Sequence, residues 1–197
     1  TTFTKSTTLL LLLLALSSVT FAQVISQPRA SQHARVTQTV GLTEISIDYS
    51  SPSVITPQGQ DRTGNIWGTV VPWNDGNQGI PWRAGANENT IISFTDDVTI
   101  NGQAIAAGSY GLHILTSEND AWTLIFSTNT SSWGSFFYNP EEDALRVSAT
   151  PVEAPFHKWL TFEFTDRAPQ VAEVSLIWDN LGISFRIGVD VHALTMQ

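Results

Sequence analysis

The chain has no cysteine among its 197 residues. Disulfide bonds, which hold many small secreted domains together, are therefore excluded, and so is a cysteine nucleophile. The fold must be held by its hydrophobic core alone. About 175 residues follow Ala22, which is enough for one domain to bury roughly 70% of the surface that its unfolded chain exposes.

Basic residues are also scarce. Nine Lys and Arg stand against 18 Asp and Glu, which gives a formal net charge of −9. An acidic surface repels the phosphates of nucleic acids and the headgroups of anionic membranes. We therefore expect neither of them as a partner.

A secretory signal peptide is predicted at residues 1–22. Its one charged residue, Lys5, is followed by the apolar run Leu9–Leu16 and by Thr20-Phe21-Ala22, which offers small residues at the cleavage positions. The apolar run is shorter than the roughly 20 residues that a membrane-spanning helix needs. Since no cysteine follows the run, lipid attachment there is excluded. We expect a periplasmic or secreted protein without membrane insertion.

Residues 23–197 show short alternating apolar segments separated by turn residues. In Thr43–Tyr49, for example, Ile45, Ile47 and Tyr49 alternate with Glu44, Ser46 and Asp48, as in a half-buried strand. About ten such strands, without a convincing amphipathic helix, predict one antiparallel, jelly-roll-like β-sandwich domain over residues 23–197. The predicted strands are 34–40, 43–49, 90–95, 97–101, 109–115, 121–127, 145–150, 159–165, 171–178 and 183–191, with a short one at 66–71.

Two long loops, residues 50–81 and 128–143, interrupt these strands. Loops of this length are usually functional or disordered, and their aromatic residues argue against disorder. The tryptophans in and beside these loops suit carbohydrate stacking if they cluster at one end of the sandwich. If they fold back over the core instead, they are lids. These residues are Trp67, Trp73, Trp82 and Trp133.

The stretch from Trp82 to Glu88 combines an indole, a cation (Arg83), an amide (Asn87) and a carboxylate in one short loop. Such a set suits a sugar or carboxylate ligand, because the ring stacks against it while the polar groups fix its orientation. An architectural interpretation is also open. In that interpretation Arg83 pairs with Glu88 or another acid, and Asn87 caps a turn that Gly85 permits.

The sequence contains no recognised catalytic motif, neither G-x-S-x-G nor H-E-x-x-H. A hydrolase that uses Glu88 with Arg83 or His113 stays an alternative. The four histidines lack the spacing of metal ligands. Asp96-Asp97 and Glu141-Glu142-Asp143 lack the spacing of a calcium loop and are typical of solvated turns. We expect no metal and no cofactor.

The segment W-R-A-G-A-N-E at Trp82–Glu88 is the most specific of a series of motifs that run through nearly the whole chain after residue 22. The others include Gln38–Gly41, Tyr49–Pro52, Arg62, Trp67-Gly68, Val71-Pro72, Ala107–Tyr110, Trp133-Gly134, Asp143–Val147 and Trp159–Phe164. In this order they resemble domain-of-unknown-function family 2911, found mainly in exported proteins of Bacteroidetes-type bacteria. The resemblance implies export and a β-rich fold and supplies no activity. The chain departs from the family pattern where Ile55–Gln60 and Asn74–Ile80 look inserted.

These observations favour an exported, non-catalytic binding module for a glycan or another envelope or extracellular ligand. Two alternatives stay open besides it. One is the hydrolase, and the other is a structural or assembly component of the cell envelope without a small ligand. The candidate ligand-binding residues are Trp82, Arg83, Asn87, Glu88, His113 and Trp133.

Overall fold

A computed structural model describes residues 27–74 and 79–191. The predicted signal peptide, residues 1–22, lies outside the described residues. A single turn of 3₁₀ helix, Pro140–Glu142, precedes the eighth strand. The strands of the described part are β1 (Gln32–Val40), β2 (Thr43–Ser51), β3 (Thr90–Phe94), β4 (Val98–Ile100), β5 (Gln103–Ile105), β6 (Gly108–Leu115), β7 (Trp122–Ser127), β8 (Asp143–Ala149), β9 (Val152–Ala168) and β10 (Val171–Val189).

These strands form two sheets. The first has six strands in the order β1-β2-β3-β6-β7-β8, and the second has four in the order β5-β4-β10-β9. All pairings between the ten strands are antiparallel. Rings from the two sheets meet in a shared core, where Phe126 of β7 lies 5.9 Å from Phe185 of β10 between ring centroids. The predicted antiparallel β-sandwich of about ten strands is confirmed.

Strand β2 shows how the alternating pattern forms the core. Ile45, Ile47 and Tyr49 are buried, and β2 is hydrogen-bonded on both sides, to β1 and to β3. Ser46, predicted on the exposed face, is buried as well. Arg35 on β1 crosses that face and donates from Nη2 to Ser46 Oγ at 3.1 Å. A neighbouring strand's long side chain thus covers a position that alternation alone predicts to be exposed.

The predicted strands 171–178 and 183–191 are wrong as separate elements, because they are parts of the single 19-residue strand β10. The pairing of β10 with β9 shifts register on both sides of Asp179. Asp179 itself has a positive φ of 56°. The chain therefore bulges there and continues, whereas the polar pair Asp179-Asn180 is typical of a turn. Its partner β9 is likewise extended, to 17 residues.

The described residues of the long loop between β2 and β3 contact both sheets, through Val54 at Lys158 of β9 and through Trp82 at Ile114 of β6. The short strand predicted at 66–71 is wrong: this segment is a turn in which the amides of Val70 and Val71 both donate to the carbonyl oxygen of Ile66 at 2.9 Å. The loop returns to the first sheet at Trp82. Residues 27–74 and 79–191 provide no apolar helix of the length that a bilayer crossing requires.

Candidate functional site

The loop Trp82–Glu88 is fixed to the first sheet through Trp82. Its backbone exchanges two hydrogen bonds with Ile114 of β6, at 2.8 and 2.7 Å. The indole Nε1 of Trp82 donates to the carbonyl oxygen of Gly85 at 3.1 Å. The Ala86 amide donates to the carbonyl oxygen of Ser50 at 3.1 Å. Trp82 therefore anchors the loop, and its N–H is already used.

The loop contains two non-glycine residues in the left-handed region, Ala84 with φ 51° and Asn87 with φ 59°. For alanine this conformation costs roughly 1–2 kcal/mol. It is held because Ala84 is fully buried and its carbonyl oxygen accepts from Thr90 Oγ1 at 3.1 Å. The side-chain Nδ2 of Asn87 donates to the carbonyl oxygen of Ser31 at 3.2 Å. Surrounding contacts thus maintain a strained backbone, as they do at many binding sites.

Of the four loop tryptophans, for which a ligand platform and a lid were both open, three form a lid. The rings of Trp67 and Trp82 meet edge to face, with their centroids 5.6 Å apart. The ring of Trp82 stacks on that of Trp178 of β10, with centroids 6.2 Å apart. Trp67 and Trp73 both lie against Trp122 of β7, at 4.9 and 6.2 Å. Burying aromatic surface over the end of the core is a large hydrophobic gain. These residues are therefore primarily structural.

Glu88 forms its ion pair with Arg29 rather than with Arg83. Both of its carboxylate oxygens accept from Arg29 Nη1, at 2.6 and 2.7 Å. The hydrogen bond from Arg29 is the main reason that the pKa of Glu88 lies below its ordinary value. The Glu88 side chain is nearly half exposed on the outside of the loop. The structure thus separates it from the other candidate residues.

Arg83 is half-buried and only partly satisfied. Its Nη1 donates to the carbonyl oxygen of Asn87 at 2.6 Å, and its Cζ lies 5.7 Å from the ring centre of Phe136. Gly134 lies against the guanidinium so closely that an added Cβ would be 2.5 Å from Cζ. Burial lowers the pKa of Arg83, and no carboxylate of residues 27–74 or 79–191 lies within salt-bridge distance of it.

Arg83 lies where two surface cavities meet. The first, which we call the Phe136 cleft, has a volume of about 260 Å³ and is lined in part by Trp82, Arg83, Ser135 and Phe136. The second, which we call the arginine groove, has a volume of about 420 Å³. Its functional groups come from Thr56, Gln58, Arg62, Arg83, Asn87 and Trp178. The structure thus places Trp82, Arg83 and Asn87 together.

His113 reaches this site only through Ser135. It is buried on β6, and its Nδ1 is hydrogen-bonded to Ser135 Oγ at 2.8 Å. The imidazole ring packs against the ring of Tyr138, with the two centroids 5.6 Å apart. Burial is the main cause that lowers the pKa of His113 to about 4. The neutral ring fixes the loop after β7 to the sheet and places Ser135 in the wall of the Phe136 cleft.

Trp133 belongs to an exposed aromatic strip in the same loop. Trp133, Phe136 and Phe137 are 52, 70 and 78% exposed. Large contiguous patches of exposed apolar side chains mark interaction surfaces. Of these three residues, only Trp133 was a candidate in the sequence analysis.

Several residues of the site were not predicted, among them Arg62, Ser135 and Trp178. They come from separate parts of the sequence, which no local pattern could connect. The structure gives no support to a metal centre, because no three His, Asp or Glu side chains cluster suitably in the described ranges. Asp143 instead accepts hydrogen bonds from Tyr138 and Arg146.

Comparison with known proteins identifies one family. A model of the family described as a protein of unknown function, DUF2911, matches residues 31–187. No curated protein and no solved structure matches the chain. The match extends from β1 to the last residues of β10 and contains both cavities and the aromatic strip. The chain therefore belongs to the DUF2911 family.

Proposed function

We propose that the chain is an exported, non-catalytic, single-domain binding module for a glycan. The observation that carries this proposal is the aromatic strip beside Arg83: Trp133, Phe136 and Phe137 lie within five residues of one another and are all exposed. Sugar rings stack on flat aromatic faces, and a neighbouring cleft with a few polar groups fixes their orientation. The Phe136 cleft supplies such groups through Arg83 and Ser135.

The contacts of Glu88 favour binding over hydrolysis. A general acid or base must be within hydrogen-bond reach of the reacting group. Glu88 is engaged by Arg29, and Arg83 donates to a backbone oxygen. Neither residue therefore activates the other in this arrangement. His113 is sealed under Tyr138 and holds Ser135 in place.

The proposal is tested by calorimetric titration with oligosaccharides that a glycan array selects. We expect Trp133→Ala and Phe136→Ala to weaken binding about tenfold each, the equivalent of roughly 1.4 kcal/mol. Phe156→Ala is the matched control, because Phe156 on β9 is 51% exposed outside the site. Binding that is unchanged in both loop variants, or that Phe156→Ala weakens equally, would refute the proposal.

A further inference from the structure

Four described arginines form no ion pair with a carboxylate, and two of these, Arg62 and Arg83, line the same cavity. Arg29, Arg35 and Arg146 each pair with an acid, as expected where acidic residues outnumber basic ones two to one. Arg62 and Arg83 instead donate to backbone oxygens. Arg62 Nη2 donates to the carbonyl oxygen of Ser53 at 2.7 Å, and its Nε donates to the carbonyl oxygen of Val54 at 3.4 Å. Their charges are therefore available to a ligand.

Both of these arginines line the arginine groove, whose described lining includes no Asp or Glu. Bringing two like charges to one cavity is unfavourable, and half-burying one of them without a counter-ion adds a desolvation cost. Desolvation by burial lowers the pKa of Arg83. An anion in the groove would supply the counter-ion that the half-buried Arg83 lacks and would reduce the repulsion between the two charges.

A buried donor on a residue that lines the groove also lacks a partner. Trp178 lines it and is 1% exposed, yet its Nε1–H has no hydrogen-bond acceptor in the described part of the chain. Buried N–H groups are nearly always paired, so each exception calls for an explanation. The orphaned donor is independent of the arginines. It marks an unsatisfied polar atom on a residue of the groove wall.

The groove also has the size and the polar lining for a sugar. Its volume of about 420 Å³ lies within the usual range for small-ligand sites, roughly 300–1,000 Å³. Thr56 and Gln58 add a hydroxyl and an amide to the wall. Both belong to the segment 55–60, in which this chain departs from the family pattern.

We propose that the glycan is acidic and that Arg62 and Arg83 bind its carboxylate in the arginine groove. This inference rests on the proposed function, because Arg83 lies between the groove and the Phe136 cleft that adjoins the aromatic strip. A guanidinium binds a planar carboxylate through two parallel hydrogen bonds, which a lysine in the same place does not reproduce. The ligand class is therefore an oligosaccharide that contains uronic acid.

The test compares galacturonic acid oligosaccharides with their methyl esters, which keep the shape and lose the charge. We expect esterification to weaken binding at least tenfold in calorimetric titrations. Arg62→Gln and Arg83→Gln should each reduce this difference to less than threefold, and Arg83→Lys should restore only part of it. Arg186→Gln is the control, because Arg186 is exposed on β10 and lines neither cavity.

The outcomes separate the inference from the proposed function. If acid and ester bind equally well and Trp133→Ala abolishes both, the inference fails and glycan binding stands. If Arg83→Gln removes acid binding while the aromatic variants do not affect it, the anion site stands and the aromatic strip is not involved. If neither oligosaccharide binds, the inference is overturned, and the glycan array alone decides the broader proposal. Arg62→Gln and the acid–ester comparison remain decisive if Arg83→Gln does not fold.

Discussion

Within the loop Trp82–Glu88, individual residues have different roles. Trp82 and Asn87 form bonds that hold the loop in shape, and Glu88 holds the chain before β1 through Arg29. Arg83 alone combines partial burial with incomplete hydrogen bonding. The architectural and ligand-binding interpretations of this motif therefore apply to different residues of the same loop.

Burial of His113 predicts a pH-dependent stability. Its pKa is lowered to about 4 in the folded protein, whereas an unfolded histidine titrates near 6.5. The unfolded state therefore takes up the proton first as the pH falls. The contribution of His113 is complete above about pH 6.5 and is lost between about pH 6.5 and about 4, by on the order of 3 kcal/mol.

Urea unfolding at several pH values measures this loss. The difference in stability between the wild type and His113→Gln, which does not titrate, should shrink as the pH falls through this range. His33→Gln is the control, since His33 is exposed on β1. Parallel pH profiles for the wild type and His113→Gln would contradict the prediction.

At the scale of elements, the alternation of residues was sufficient to predict most strands and the sandwich. It failed where a strand contains a bulge, because Asp179-Asn180 looks like a turn while long-range pairing with β9 continues on both sides. It also could not connect Arg62, Ser135 and Trp178 with the loop at Trp82. These residues meet only after two sheets and two loops have packed together. The loop motif was visible in the sequence, but the cavities beside it were not.

The bulge in β10 depends on Asp179. This buried residue has a positive φ, and its Oδ2 accepts a hydrogen bond from the Gly64 amide at 2.8 Å. We expect Asp179→Ala to destabilise the protein by about 2 kcal/mol, because it loses the acceptor and keeps the unfavourable φ. Asp179→Asn should cost less than about 1 kcal/mol, since asparagine retains an acceptor and tolerates this conformation.

Urea unfolding of both variants measures these differences, with Asp179→Gly as the matched control. Glycine removes the acceptor and relieves the backbone, so its cost should fall between those of the other two. Equal losses of stability for Asp179→Ala and Asp179→Asn would show that neither the hydrogen bond nor the φ angle accounts for the contribution of Asp179 to stability.

For the whole molecule, the acidic surface and the arginine groove predict opposite responses to salt. The net charge of −9 makes the folded chain repel itself, and salt screens this repulsion. Between about 0.01 M and about 0.15 M NaCl the Debye length falls from about 30 Å to about 8 Å. The melting temperature should therefore rise over this range. Calorimetric scans at fixed pH measure it.

Binding of an acidic glycan should weaken over the same range, because the described groove lining has no Asp or Glu and salt screens the local attraction between the carboxylate and the two arginines. Affinity for the galacturonic acid oligosaccharide should fall severalfold, while affinity for the methyl ester should stay constant. The ester controls for any effect of salt on folding. If both affinities rise with the melting temperature, salt acts on the stability of the sandwich alone, and the groove does not recognise charge.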